Sequence, residues 1–355
     1  MTYLQYAITI GLFSIIGCGY SADDGYKNGE EVKIPLKNKV WYMNPVIDHD
    51  APDPTIQRAE NGLFYLYATG GNTSVYKSGD LVHWKYVGNA YKDEEKPAWE
   101  PNAGIWAPDI NYINGKYVMY YSMSKWGGGS TCGIGVSVSD TPEGPFTDLG
   151  KLFRSNEIDV HNSIDPFYIE DNGRKYLFWG SWYGIWGVEL GEDGLSLKGG
   201  IDNAKATKIQ IAANTGNTNA YEGTYILKRG IYYYLFCSTG TCCEGAKSTY
   251  QTVVGRSTNL FGPYLNKAGE DMNDNKHEVL IHRNSAFLGT GHNAEIVQDD
   301  EGKDWILYHA YRTSNPDKGR VVLLDRVYWD DNNWPYLLGD APAVKAEAPV
   351  FKKSK

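Results

Sequence analysis

Hydrophobic positions along this chain cluster in short aromatic and β-branched runs at a nearly regular interval. The runs are Phe64-Tyr65-Leu66-Tyr67, Tyr117-Val118-Met119-Tyr120-Tyr121, Tyr176-Leu177-Phe178-Trp179, Tyr232-Tyr233-Tyr234-Leu235-Phe236 and Trp305-Ile306-Leu307-Tyr308. Runs this short, rich in such residues and bounded by turn formers, predict strands. Just before each lies a turn with glycine: Asn61-Gly62, Asn114-Gly115, Asn172-Gly173, Arg229-Gly230 and Glu301-Gly302. Before every turn stands a segment carrying a polar residue able to do chemistry. These are Asp53-Pro54-Thr55-Ile56, Ala107-Pro108-Asp109-Ile110, Ser163-Ile164-Asp165-Pro166, Tyr221-Glu222-Gly223-Thr224 and Gly291-His292-Asn293-Ala294-Glu295. The lead residues Asp53, Asp109, Asp165, Glu222 and His292 are 56, 56, 57 and 70 positions apart. A hairpin repeat of this period predicts an all-β fold, a five-bladed β-propeller with one blade per repeat. Innermost strands of a propeller converge on its axis, so the five lead side chains are expected to share one central space.

Composition narrows the partners. Among 355 residues, 42% are hydrophobic, enough for a packed core, and no Pro/Ser-rich linker or charge block divides the repeat. One catalytic domain over 36–350 is therefore expected. A net charge of −9 argues against nucleic acid. Eleven Trp and 28 Tyr suit a surface that stacks on sugar rings, although packing between blades accounts for most of them. At the N-terminus an apolar run from Tyr6 to Gly17 ends at Cys18, too short for a membrane span and similar to a signal peptide over 1–18. Ile15-Ile16-Gly17-Cys18 resembles a lipobox, and 19–35 reads as a tether. The expectation is an exported protein, either a bacterial lipoprotein of the periplasm or outer membrane or a secreted one. Its membrane contact would then be only the lipid on Cys18, and it is expected to act as a monomer. Cys132, Cys237, Cys242 and Cys243 can form disulfides in such a compartment, and their spacing does not suggest zinc.

The lead residues suit glycoside hydrolysis, which uses one protonated and one ionised carboxyl on opposite sides of the scissile bond. Asp53, held between Pro52 and Pro54, reads as general base. Glu222 reaches further toward a leaving group, with Gly223 leaving space beside it, and reads as general acid. Asp165 can raise the pKa of that acid by like-charge repulsion. Asp109 is a candidate for a sugar hydroxyl or for holding the ring together. His292 is a candidate metal ligand or hydrogen-bond partner of the acids.

At these residues the chain resembles glycoside hydrolase family 43, and within it the arabinan endo-1,5-α-L-arabinosidases, over roughly positions 40 to 340. The resemblance is carried by Trp106-Ala107-Pro108-Asp109-Ile110, Ser163-Ile164-Asp165-Pro166 and Gly291-His292-Asn293. Cys242-Cys243, Ser248-Thr249-Tyr250, Val254-Gly255-Arg256-Ser257, Gly262-Pro263-Tyr264 and Leu324-Asp325-Arg326 extend it. It implies a five-bladed propeller that inverts configuration, with Asp53 as base, Asp165 as modulator and Glu222 as acid. It also implies a central, largely water-coordinated calcium ion at His292. Trp106, Asn162, Trp182 and Tyr183 flank the axial motifs and are candidates, with Asp109, for substrate binding. The chain departs from the arabinanase pattern in three places. Pro52 rather than His precedes the base, Glu244 follows Cys243, and Gly223 follows the acid. An exo-acting α-L-arabinofuranosidase or β-xylosidase is the nearest alternative, and a non-catalytic glycan-binding propeller the more distant one.

Overall fold

The computed structural model describes residues 39–213 and 221–352. The expected signal peptide, Cys18 and tether lie outside the described residues.

Five antiparallel sheets follow one another along the chain, each a consecutive meander. Blade 1 runs Thr55–Arg58, Phe64–Ala68, Ser74–Ser78 and Lys85–Asn89. Blade 2 runs Gly104–Ile113, Lys116–Ser124, Gly133–Ser139 and Thr147–Arg154. Blade 3 runs Phe167–Asp171, Arg174–Trp179, Ile185–Glu189 and Ile209–Ala212. Blade 4 runs Glu222–Arg229, Tyr232–Thr239, Gln251–Ser257 and Glu278–Ile281. In blade 5 the inner strand is split into Phe287–Gly291 and Val297–Gln298, and both pieces pair with Asp304–Arg312. Arg320–Trp329 and Pro335–Tyr336 complete that sheet. The five predicted aromatic runs are all second strands.

The turns explain why these hairpins close where they do. Asn114-Gly115 and Asn172-Gly173 each join paired strands with two residues, and all four lie at positive φ. That is the twist a two-residue hairpin needs, and Asn and Gly reach it most easily. The second strands then bury both faces, because each blade is covered by its neighbours. Phe64, Leu66, Leu307 and Leu324 pack in one cluster that joins blades 5 and 1, and Tyr67, Met119 and Phe146 in one that joins blades 1 and 2. The core therefore lies between blades rather than within one sheet. The ring is sealed by a separate ribbon in which Trp41–Met43 pairs with Lys345–Glu347. Asn44 reinforces that closure with side-chain hydrogen bonds to the main chain of Leu324 and Ala343.

One local device recurs near the axis. A residue at positive φ stands where each inner strand begins or bulges: Asp53, Ala107, Asp165, Gly223 and His292. Four of these are not glycine, and such a conformation costs roughly 1–3 kcal/mol each. A side chain of the preceding blade holds each one by accepting its main-chain N–H. Thr69 Oγ1 accepts from Ala107 at 2.7 Å, Ser122 Oγ from Asp165 at 2.8 Å and Ser238 Oγ from His292 at 2.7 Å. His309 Nδ1 accepts from Asp53 at 3.1 Å, and Asp165 Oδ2 from Gly223 at 3.0 Å. Three of the five holders are hydroxyls. The two exceptions are His309 and Asp165.

This register corrects one expectation. Asp109 is not the counterpart of Asp53 and Asp165; Ala107 is, and Asp109 lies two residues further along the strand. Its Oδ2 accepts from Tyr168 N and Asn111 Nδ2, both at 2.8 Å. Burial, with the negative charge of Glu295 beside it, pushes its pKa well above the usual carboxyl range. Glu295 in turn accepts from Ile56 N at 2.7 Å and Thr55 Oγ1 at 2.9 Å. Asp109 thus ties the inner strands together, the second of its two expected roles, and is not among the residues that line the cavity.

Candidate active site

A cavity of about 420 Å³ opens where the five inner strands begin. Asp53, Asp165, Glu222 and His292 line it, as do Trp106, Asn162, Trp182 and Tyr183. Eight of the nine predicted site residues therefore share one space. Arg320, Trp126, His161 and the Cys242–Cys243 pair also line it and were not anticipated as site residues. Cys242 and Cys243 are joined by a disulfide between sequence neighbours, and Cys132 and Cys237 are free and buried.

Asp53 is buried, and burial alone would raise its pKa. The charge of Arg320 is the largest opposing influence, and the carboxyl is held well below the usual range. Arg320 Nη1 donates to Asp53 Oδ1 at 3.0 Å. His292 Nδ1 lies 3.4 Å and His309 Nδ1 3.3 Å from the same oxygen. Burial keeps both imidazoles toward the neutral form, His309 with its pKa pulled down to about 4.

Glu222 and Asp165 behave in the opposite sense. Burial raises both, and each then feels like charge: Asp165 from Glu222 and Asp53, Glu222 from Asp53. Hydrogen bonds oppose that rise at both. The Gly223 N–H favours ionised Asp165, and Ser181 Oγ, donating to Glu222 Oε2 at 2.6 Å, likewise favours ionised Glu222. The pair keeps a proton into the range where Asp53 is fully ionised. One cavity therefore holds an ionised carboxylate and a protonated carboxyl, the set needed for acid and base work on the same bond.

Removing the Arg320 charge tests this electrostatic scheme. Arg320→Met leaves burial to act on Asp53 with less opposition, so its pKa rises. With Asp53 as the expected base, which works only when ionised, both limbs of the pH profile of kcat/KM are expected to move to higher pH. The acid limb should move further, because Arg320 is the largest charge opposing burial at Asp53 and a lesser one at Glu222. An unmoved acid limb would show that Arg320 does not tune Asp53.

Aromatic side chains shape the walls. Trp106 lies 5.5 Å from Trp126, ring centre to ring centre. Trp126 is 79% exposed at the edge of the cavity, on the Gly127-Gly128-Gly129 turn. Tyr183 meets His161 edge-on at 4.5 Å. Asn162 Nδ2 donates to Ser181 Oγ at 2.9 Å, so Asn162 also supports the hydroxyl that serves Glu222.

The donors near His292 do not form a calcium cage. Among the described residues no group of three His, Cys, Asp or Glu side chains gathers to hold a metal. Calcium takes six to eight hard oxygen ligands, so an ion beside His292 would draw most of its ligands from water.

Residues 42–335 match the family model described as Glycosyl hydrolases family 43. The chain belongs to glycoside hydrolase family 43. Among family members, it is similar to an extracellular exo-α-(1→5)-L-arabinofuranosidase of Cellvibrio japonicus, 34% identical over 81% of this chain and 86% of that protein. It is also similar to an extracellular endo-α-(1→5)-L-arabinanase of Bacillus subtilis, 32% identical over 85% of this chain and 91% of that protein. In three dimensions it resembles an α-L-arabinanase of Cellvibrio cellulosa complexed with arabinohexaose. That match has a TM-score of 0.71 and 32% identity, and covers 81% of this chain and 95% of that one. This family 43 chain is thus a glycoside hydrolase with a five-bladed propeller, and the cavity on its axis is where its carboxyl groups gather.

Proposed function

We propose that this protein is an exported hydrolase of α-1,5-linked L-arabinan that acts with inversion. The observation that carries the proposal is the gathering of three carboxyl groups in one aromatic-walled cavity. Arg320 is bonded to Asp53 and holds it toward its ionised form, while the buried Asp165–Glu222 pair is held toward protonation. Asp53 takes a proton from water as the water oxygen attacks the anomeric carbon. Glu222 gives its proton to the leaving oxygen. Asp165, bonded to the main chain beside Glu222, orients that acid and holds its pKa up. Relatives that act on this linkage support the substrate, and relatives named extracellular support export. No step runs through a metal.

Chromatography of products from linear α-1,5-arabinan tests the reading, beside para-nitrophenyl arabinofuranoside and xyloside. A ladder of arabino-oligosaccharides supports endo action, and arabinose alone supports exo action. Cleavage of the xyloside only would overturn the substrate. Proton NMR of the first-formed sugar reads the stereochemistry, and a retained α-anomer would overturn inversion.

Trp126 is placed to stack on sugar units at the cavity edge. Trp126→Ala is expected to raise KM for arabinan roughly 3- to 10-fold, the scale of one lost aromatic contact, with kcat on the aryl arabinofuranoside unchanged. An unchanged KM for the polymer would remove Trp126 from the binding surface.

A further inference from the structure

Two buried rings connect the acid side of the cavity to the base side. Tyr250, just ahead of the third strand of blade 4, and His309, in the second strand of blade 5, are 2% and 0% exposed. Their planes are 13° apart with centres separated by 5.6 Å, a stacked pair. His309 Nδ1 accepts the Asp53 N–H at 3.1 Å. A nitrogen that accepts carries no proton, so the neutral imidazole holds its hydrogen on Nε2, which is buried without a partner. At the other end, the Tyr250 hydroxyl is buried and closes no hydrogen bond of its own. It lies on the Glu222 side of the blade: Glu222 pairs with Ser238, and a Cβ on Gly291 would lie 2.3 Å from the Tyr250 ring and 2.9 Å from Ser238 Oγ. In keeping with that, burial and then the Glu222 charge push the phenol upward, and the hydroxyl favours the ionised form of Glu222. The same close approach of Gly291 clamps the pair by main chain. Ser248-Thr249-Tyr250 and Gly291-His292-Asn293, two motifs of the sequence, thus meet at this stack.

We propose that the Tyr250–His309 stack is a strut coupling the general acid to the general base. His309 fixes the main chain from which the Asp53 carboxylate projects. The Tyr250 hydroxyl donates a hydrogen bond to the Glu222 carboxylate that appears when Glu222 gives its proton to the leaving oxygen. Tyr250 keeps its own proton throughout. The glycosidic C–O bond breaks, the water oxygen bonds to the anomeric carbon, and the proton of that water ends on Asp53. Both are positioning residues, acting through Asp53 and Glu222. The inference rests on the arabinan-hydrolase reading with Glu222 as acid.

The two ends of the strut have different kinetic signatures. Tyr250→Phe keeps the ring and removes the hydroxyl. It is expected to lower kcat on arabinotriose about tenfold, the scale of a hydrogen bond to a charged group, with KM within twofold. On para-nitrophenyl arabinofuranoside, whose leaving group needs little protonation, the loss is expected to stay under about twofold. His309→Phe keeps a ring but not the acceptor, and is expected to slow both substrates alike because both need the base. A third readout needs no turnover. The Glu222 carboxyl band in the infrared, identified by its loss in Glu222→Gln, is expected to titrate at higher pH in Tyr250→Phe. Equal loss on both substrates, or an unmoved Glu222 titration, overturns the strut. If the wild type cleaves no arabinoside, the arabinan reading fails and the infrared titration alone decides the strut.

Discussion

Asp53→Ala is expected to lower kcat on every substrate by on the order of 10²- to 10⁴-fold, the range that a positioned general base supplies. The loss should be independent of the leaving group, since water must be activated whichever bond breaks. The cavity offers no ready substitute. Asp165 and Glu222 are held toward their protonated forms, and His292 lies against the same Asp53 oxygen. The fold should persist, because the Asp53 main chain is held through its N–H rather than its carboxylate. Kinetics on arabino-oligosaccharide and aryl arabinofuranoside, with circular dichroism as control, check this. Retained turnover would assign the base elsewhere.

Glu222→Gln is expected to be as damaging on arabinan but selective. Glutamine fills the same space and can still meet Ser181, yet it has no proton to give. The loss should again be on the order of 10²- to 10⁴-fold where the leaving group is a sugar hydroxyl, and much smaller with a good aryl leaving group. The alkaline limb of the pH profile should vanish, because that limb reports deprotonation of the acid. Equal losses on both substrates would show that Glu222 is not the proton donor.

The chain order made much of this legible. Aromatic runs after Asn-Gly turns marked second strands of blades, since two-residue hairpins demand those residues. Asp53, Asp165 and Glu222 could be found because each opens an inner strand at a regular interval. Asp109 was misplaced for a physical reason. The shared element is the left-handed residue, which at Asp53, Ala107 and Asp165 stands just before a proline. Aligning on those prolines puts Ala107 at the axis, whereas aligning on the carboxylates chooses Asp109. Arg320 carries no local signal. It lies on the third strand of blade 5 and reaches Asp53 only through ring closure, a contact across 267 positions. Trp126 sat in a glycine-rich turn whose composition said loop and did not show that it borders the cavity. His309 directly follows the Trp305-Ile306-Leu307-Tyr308 run, and only its stack on Tyr250 and its bond to Asp53 distinguish it.

The left-handed residues have one more consequence. Five equivalent backbone sockets surround the axis, and they hold Asp, Ala, Asp, Gly and His in order round the ring. The backbone approximates a fivefold rotor, and its chemistry is written by which side chain sits in which seat. The Ala107 and Gly223 seats contribute little or no side chain to the cavity. A redesign that moved function from seat to seat would exchange single residues while keeping the hydrogen bonds that hold each seat, so that new specificities could arise on this scaffold by permutation rather than by rebuilding a blade.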